Sequence, residues 1–168
     1  MPTKWDKDKR DGEFAEEKFI SLITETLGDV IVDVLPYKRK ERDLTILFSN
    51  GKTLTAEVKY DRSAHITGNT VIEYESRGIP SGISTTEADI WIQYFEGEFW
   101  IIPVRRLKNL LEGTKKIYFR KVMGGDLDEN GTPTSKLYLI TTNSFKRYAS
   151  KFDEVAVLLR ESFKVGSP

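Results

Sequence analysis

The spacing of apolar positions changes period along the chain. In "GEFAEEKFISLITETLG", Ile20, Ile23 and Leu27 recur at helical spacing, and Gly28 stands where a helix would stop. "VIVDVLP", "DLTILF" and "TLTAEVKY" then show the β-branched content and partial alternation of strands. "TVIEYES" offers a further strand, and "ADIWIQYF" and "EFWIIPV" two more around a tight turn at Glu96 and Gly97. "RRLKNLLEG" reads as a short helix ending at Gly113. "KIYFRKV" and "SKLYLITT" flank a loop rich in Gly and Asp, and "EVAVLLRESF" closes the chain as a helix. Helix, three-strand meander, further strands and helix predict an α/β domain with a mixed sheet. No repeat, low-complexity stretch or linker divides residues 1–168, so one domain is expected.

Two registers are open to the strands around Asn50-Gly51. A two-residue turn there would set Phe48 against Thr53 and Leu44 against Glu57, apolar beside polar. A type I turn at Ser49 and Asn50, with Gly51 in a left-handed bulge position, sets Phe48 opposite Lys52, Ile46 opposite Leu54 and Leu44 opposite Ala56. The second makes the apolar faces coincide, as a half-buried sheet requires. It also places Asp43 across from Glu57, with Lys59 on the same face. Two acids opposed across a strand pair repel unless something neutralises them, and a divalent cation such as Mg²⁺ takes oxygen ligands. Taken alone, Glu57 and Lys59 read as a solvated polar face, with Asp43 paired to Arg42 or Lys59.

Composition narrows the chemistry. The chain holds no Cys and one His, His65. Disulfides, thiolate zinc sites and histidine triads are therefore set aside, a reducing cytoplasm is expected, and catalysis would fall to carboxylates, lysine and hydroxyls. A chain of 168 residues can bury about 70% of its unfolded surface. No apolar run is long enough for a membrane span, and "MPTKWDKDKRDGEF" lacks a signal-peptide core. The 26 basic residues balance 26 acidic ones, so no global field draws the chain to nucleic acid. Local basic clusters do occur, in "YKRKER" with Lys38 and Arg39, "VRRLKN" with Arg105 and Arg106, "TKKIYFRK" and "FKRYASK". They form a footprint only where the fold gathers them around one cleft.

The first helix adds an acid. Glu16 lies four, seven and eleven residues before Ile20, Ile23 and Leu27, so it continues their stripe towards the sheet, where a carboxylate needs a partner or a metal. First-turn helix chemistry would also favour an acid there, and Glu13 and Glu17 compete for the role.

Glu16 in "GEFAEEKF", Asp43 in "RDLTILF", and Glu57 with Lys59 in "AEVKYD" together resemble the PD-(D/E)XK nuclease superfamily. That group includes restriction endonucleases, archaeal Holliday junction resolvases and many phage nucleases. The resemblance covers about the first hundred residues, with Arg42 where the superfamily often has proline. It implies a restriction endonuclease-like three-layer α/β core, a central mixed β-sheet flanked by helices. It implies a Mg²⁺-dependent deoxyribonuclease, with Mn²⁺ substituting and junction resolution among the activities of the group. Asp43, Glu57 and the Val58 carbonyl would hold the metal, helped by Glu16. Lys59 would orient or deprotonate the attacking water. DNA is the implied partner, and a homodimer is left open. The rival readings are a non-catalytic nucleic-acid-binding domain of the same fold and a structural sheet protein whose acids are merely solvated.

Two further segments bear on the site. Glu73 and Glu75 would share one strand face, Glu73 as an additional acid beside the site or as part of an exposed edge. In "SGISTTEAD", Ser84 and Glu87 have capping-box spacing, and a helix N-terminus with Ser84, Thr85 and Thr86 would hold a DNA phosphate or simply start a helix. "DLDENGT" matches the opening of an EF-hand loop, but its closing position falls on Leu137, so it reads as an acidic turn. His65 reads as a surface or DNA-contact residue.

Overall fold

The order of elements is α1 (Lys4–Leu27), β1 (Ile31–Pro36), β2 (Leu44–Phe48), β3 (Thr53–Tyr60), α2 (Ala64–Thr67), β4 (Asn69–Ser76) and β5 (Ile79–Pro80). A single 3₁₀ turn, Gly82–Ser84, leads to β6 (Ile90–Phe95), β7 (Glu98–Pro103) and α3 (Val104–Glu112). Then come β8 (Arg120–Leu127), β9 (Pro133–Thr141), α4 (Thr142–Lys146), β10 (Ser150–Lys151) and α5 (Phe152–Lys164). The structure, a computed structural model, describes residues 4–37, 42–113 and 117–164, with the backbone alone for 4–8. No described helix is long and apolar enough to cross a membrane.

The strands form two sheets. One has six strands in the order β1-β2-β3-β6-β7-β10, antiparallel except where β3 runs parallel to β6. A parallel neighbour needs a long crossover, and residues 61–89 supply it. That crossover carries β4 and β5, which join β9 and β8 in a second sheet of order β5-β4-β9-β8. The β4–β9 pairing, Asn69 opposite Thr141, joins segments distant in sequence, so local pattern alone assigns "TVIEYES" no partner.

Alternation along β3 divides the core. Ala56 and Val58, with Leu44, Ile46, Ile92 and Phe99, pack against Phe19, Ile23 and Leu27 of α1 and Phe152 of α5. Glu57 and Lys59 must face the other way. On that face Trp91, Phe95 and Ile102 meet Leu107 and Leu110 of α3 and Ile72, Tyr138 and Ile140 of the second sheet. A mixed sheet flanked by helices is thus the observed α/β architecture, with the second sheet sharing one flank with α3. Buried Gln93 joins the sheets: its Nε2 donates to Thr70 Oγ1 at 2.9 Å, and its Oε1 accepts from Trp91 Nε1 at 2.7 Å.

The central hairpin has the bulged register. Leu44 pairs with Ala56 and Ile46 with Leu54. The Phe48 amide donates to the Lys52 carbonyl at 2.9 Å, and Gly51 has φ +81°. The tight turn at Glu96 and Gly97 also appears, both residues having positive φ. Three expectations change. α1 begins at Lys4, and its buried stripe is Ala15, Phe19, Ile23 and Leu27, with Ile20 half-buried, so Glu16 borders the stripe. In "KIYFRKV" the strand starts at Arg120, because Ile117 is drawn into the core around α3. "SGISTTEAD" forms no helix beyond the 3₁₀ turn. Ile83 is buried there, and Asp89 is tied to Thr55 by four bonds of 2.8–3.0 Å, holding the chain extended into β6.

Candidate active site

The site forms where β2 starts and β3 continues past it. Ala56 turns its carbonyl to the β2 side, accepting the Asp43 amide at 2.9 Å. Val58, two residues on, turns its backbone groups the same way, and Asp43 Oδ2 accepts its N–H at 2.7 Å. The Asp43 side chain thus continues the ladder that its own strand no longer provides. Glu57 lies across from it with a side chain only 7% exposed. Lys59 Nζ sits 2.5 Å from Glu57 Oε1 and 3.6 Å from Asp43 Oδ2. The second Glu57 oxygen, Oε2, accepts from the buried Thr86 hydroxyl at 3.3 Å.

Electrostatics follow from this crowding. Burial pushes the Glu57 carboxyl above its usual range, and Asp43 adds to the rise against the opposing pull of Lys59. Burial pulls Lys59 down, but Asp43 and Glu57 outweigh it, so the ammonium is held above its ordinary pKa and stays charged. Glu16 is half-buried and also belongs to the cluster. Burial, then Asp43, raise its pKa to about 7, partly opposed by Lys59. Glu13 and Glu17 are exposed, and the Arg62–Asp11 ion pair at 2.8 Å ties the same stretch of α1 to the end of β3.

Asp43, Glu57 and Lys59 open on a cleft of about 810 Å³ between the two sheets. Its far wall comes from the second sheet: Glu73 and Ser76 of β4, Arg77 at the hairpin tip, Ile79 and Pro80 of β5, and Asp126 of β8. Ser81, Gly82 and Thr85 close one side. Ser81 Oγ donates to Glu73 Oε1 at 2.7 Å. Gly82 has φ +52°, and a Cβ there would meet the Glu73 carbonyl oxygen at 2.4 Å.

No known family model and no curated protein matches this chain. A solved structure does. It is that of the bacterial homing endonuclease I-Ssp6803I, 19% identical, with a TM-score of 0.51, over 95% of this chain and 98% of that one. The chain shares its fold with that protein. The likeness to I-Ssp6803I is one of architecture.

The remaining candidates divide. Glu73 and Thr85 line the cleft, whereas Ser84 is exposed outside it. Glu73 and Glu75 do not share a face. A bulge at Tyr74 puts Glu73 opposite Leu137 and Glu75 opposite Lys136, and Glu75 pairs with Lys136 at 2.7 Å. Arg105 and Arg106 line a different depression, with Asn109 and Tyr148, because α3 packs on the sheet beyond β6. Lys38 and Arg39 lie outside the described residues. His65 lines a third depression with Tyr60 and Tyr94. In the acidic turn, Asp128 Oδ1 accepts the Asn130 and Thr132 amides at 2.8 and 2.9 Å. Sequence reasoning missed Arg77, Ser81 and Asp126 as cleft residues. Their place depends on the crossover and on the β8–β9 pairing, which leave no local signal.

Proposed function

We propose that this protein is a metal-dependent DNA endonuclease of the PD-(D/E)XK type. One observation carries the reading: the β2–β3 register gathers Asp43, Glu57 and Lys59 in the wall of an open cleft. The endonuclease fold supports it.

The donor set suits Mg²⁺ or Mn²⁺. All the groups are oxygens: the Asp43 and Glu57 carboxylates and the Val58 carbonyl, which faces the Asp43 side. Among the described residues no three acidic or histidine side chains are placed to hold a metal by themselves. Mg²⁺ is commonly held by one or two carboxylates, with water and substrate phosphate completing its shell. Charge argues the same way. Asp43, Glu57, Glu73 and Asp126 face Lys59 and Arg77, so the bare cleft repels phosphate and a divalent cation would restore balance. When bound, such an ion lowers the pKa of a coordinated water and stabilises charge on the phosphate.

The chain's own groups divide the remaining work. Lys59, kept protonated by its two neighbours, donates hydrogen bonds to the attacking water and to the charge growing on the scissile phosphate. Glu16, at about 7, is a group beside the pair that can take up a proton near neutral pH. Glu73 adds a carboxylate from the facing wall.

The test is a panel of labelled duplex, junction, flap and single-stranded DNAs incubated with Mg²⁺ or Mn²⁺. Cleavage abolished by EDTA and by Glu57→Gln is expected, and the favoured substrate identifies duplex or junction specificity. Binding to DNA without cleavage of any member would replace the enzyme with a binding domain.

A further inference from the structure

The segment between Ser81 and Asp89 does more than join β5 to β6. It closes one side of the cleft, and Thr86 within it is 3% exposed beside Glu57 at 5%. A buried carboxylate oxygen and a buried hydroxyl have no bulk water to satisfy them, so each depends on a protein partner. Glu57 has two oxygens with two different partners. Oε1 faces Lys59 at 2.5 Å, and Oε2 accepts from Thr86 Oγ1 at 3.3 Å. With both ends held, the carboxylate plane has one preferred orientation.

Thr86 is itself fixed from two sides. Its Oγ1 accepts the Ala88 amide at 3.2 Å, and its carbonyl accepts Lys108 Nζ of α3 at 3.2 Å. Asp89, three residues on, is bonded to Thr55 of β3. Thr86 therefore links α3 to the β3 carboxylate, Lys108 holding its carbonyl and its hydroxyl reaching Glu57.

We infer that Thr86, anchored by Lys108, is the positioning residue that orients Glu57 for metal binding. The inference rests on the nuclease reading of the cleft. Thr86 touches neither the reacting phosphate nor the metal. It acts by holding a ligand's second oxygen, as outer partners of metal ligands do, and loss of such partners lowers metal affinity about 10–100-fold.

The experiment is calorimetric titration of the full chain with Mn²⁺ in the absence of DNA, alongside melting in EDTA. Thr86→Val keeps shape and loses the hydroxyl, and it is expected to weaken Mn²⁺ binding about tenfold or more, with Thr86→Ser restoring it. Wild-type affinity in Thr86→Val overturns the inference, and so does a Thr86→Ser protein as weak as the valine variant. Should Thr86→Val fail to fold, Lys108→Met decides, since it leaves the hydroxyl in place and removes its anchor. Weakened Mn²⁺ binding at an unchanged melting temperature supports the inference, and unchanged binding overturns it. A wild-type protein that neither binds Mn²⁺ nor cleaves DNA would instead overturn the nuclease reading itself, and this inference with it.

Discussion

Glu57 and Lys59 share a strand face and a hydrogen bond, yet their loss should have opposite signatures. Removing Glu57 as alanine takes away a metal ligand and a charge that repels phosphate. Cleavage should stop, while DNA binding in EDTA holds or tightens, as fluorescence anisotropy would show. Lys59→Ala should leave Mn²⁺ binding largely intact and slow single-turnover cleavage about 100-fold or more, the scale for a group that stabilises transition-state charge. A fully active Lys59→Ala protein would move the chemistry elsewhere. Glu16 gives a pH signature. Its pKa rises from 4.5 unfolded to about 7 folded, so between those values the folded protein binds more protons. Stability in EDTA should therefore fall as pH rises from 4.5 to 7, and Glu16→Gln should flatten that slope in urea titrations. At this scale the sequence was most legible for Asp43, Glu57 and Lys59, whose juxtaposition follows from alternation and one turn. The place of Thr86 against Glu57, and of Asp126 in the facing wall, was not legible, because neither the long crossover nor the β8–β9 pairing leaves a local signal.

Elements differ in how much of their form is local. The β2–β3 hairpin could be read because Leu44, Ile46, Leu54 and Ala56 coincide in one register only. The segment after β5 could not: Ser84 and Glu87 have helix-start spacing, but burial of Ile83 and the Asp89–Thr55 bonds hold the chain extended. Two glycines separate these cases experimentally. Gly51 has φ +81°, and a Cβ added there would have no neighbour within 4 Å. Gly51→Ala should therefore cost only the backbone penalty, about 1 kcal/mol by urea unfolding, with cleavage retained. Gly82 combines φ +52° with a Cβ position only 2.4 Å from the Glu73 carbonyl oxygen. Gly82→Ala must push the segment away from β4, and it should lose more stability than Gly51→Ala and lower cleavage as well. Equal effects at the two positions would contradict the close packing against Glu73.

The described residues form two sheets with a cleft between them, and among those residues the basic clusters of the sequence add no side chain to its lining. Arg77, at the β4–β5 tip, lines it, while Arg105 and Arg106 do not. DNA affinity should weaken with salt, and Arg77→Ala should reduce the slope of log affinity against log salt by about one. A slope unchanged in Arg77→Ala would place the phosphates on another surface. Gln93 bears on the same cleft in a mechanical sense. It clips the six-stranded sheet to Thr70 near the first end of β4, whereas Ser76 and Arg77 stand at the far end. The stretch between is a lever of about 20 Å at about 3.3 Å per residue. That stretch is braced part-way along, where Ser81 Oγ bonds Glu73 and Gly82 packs on the Glu73 carbonyl, so the gape of the jaws is set before anything enters them, as in a mould and not a clothes-peg.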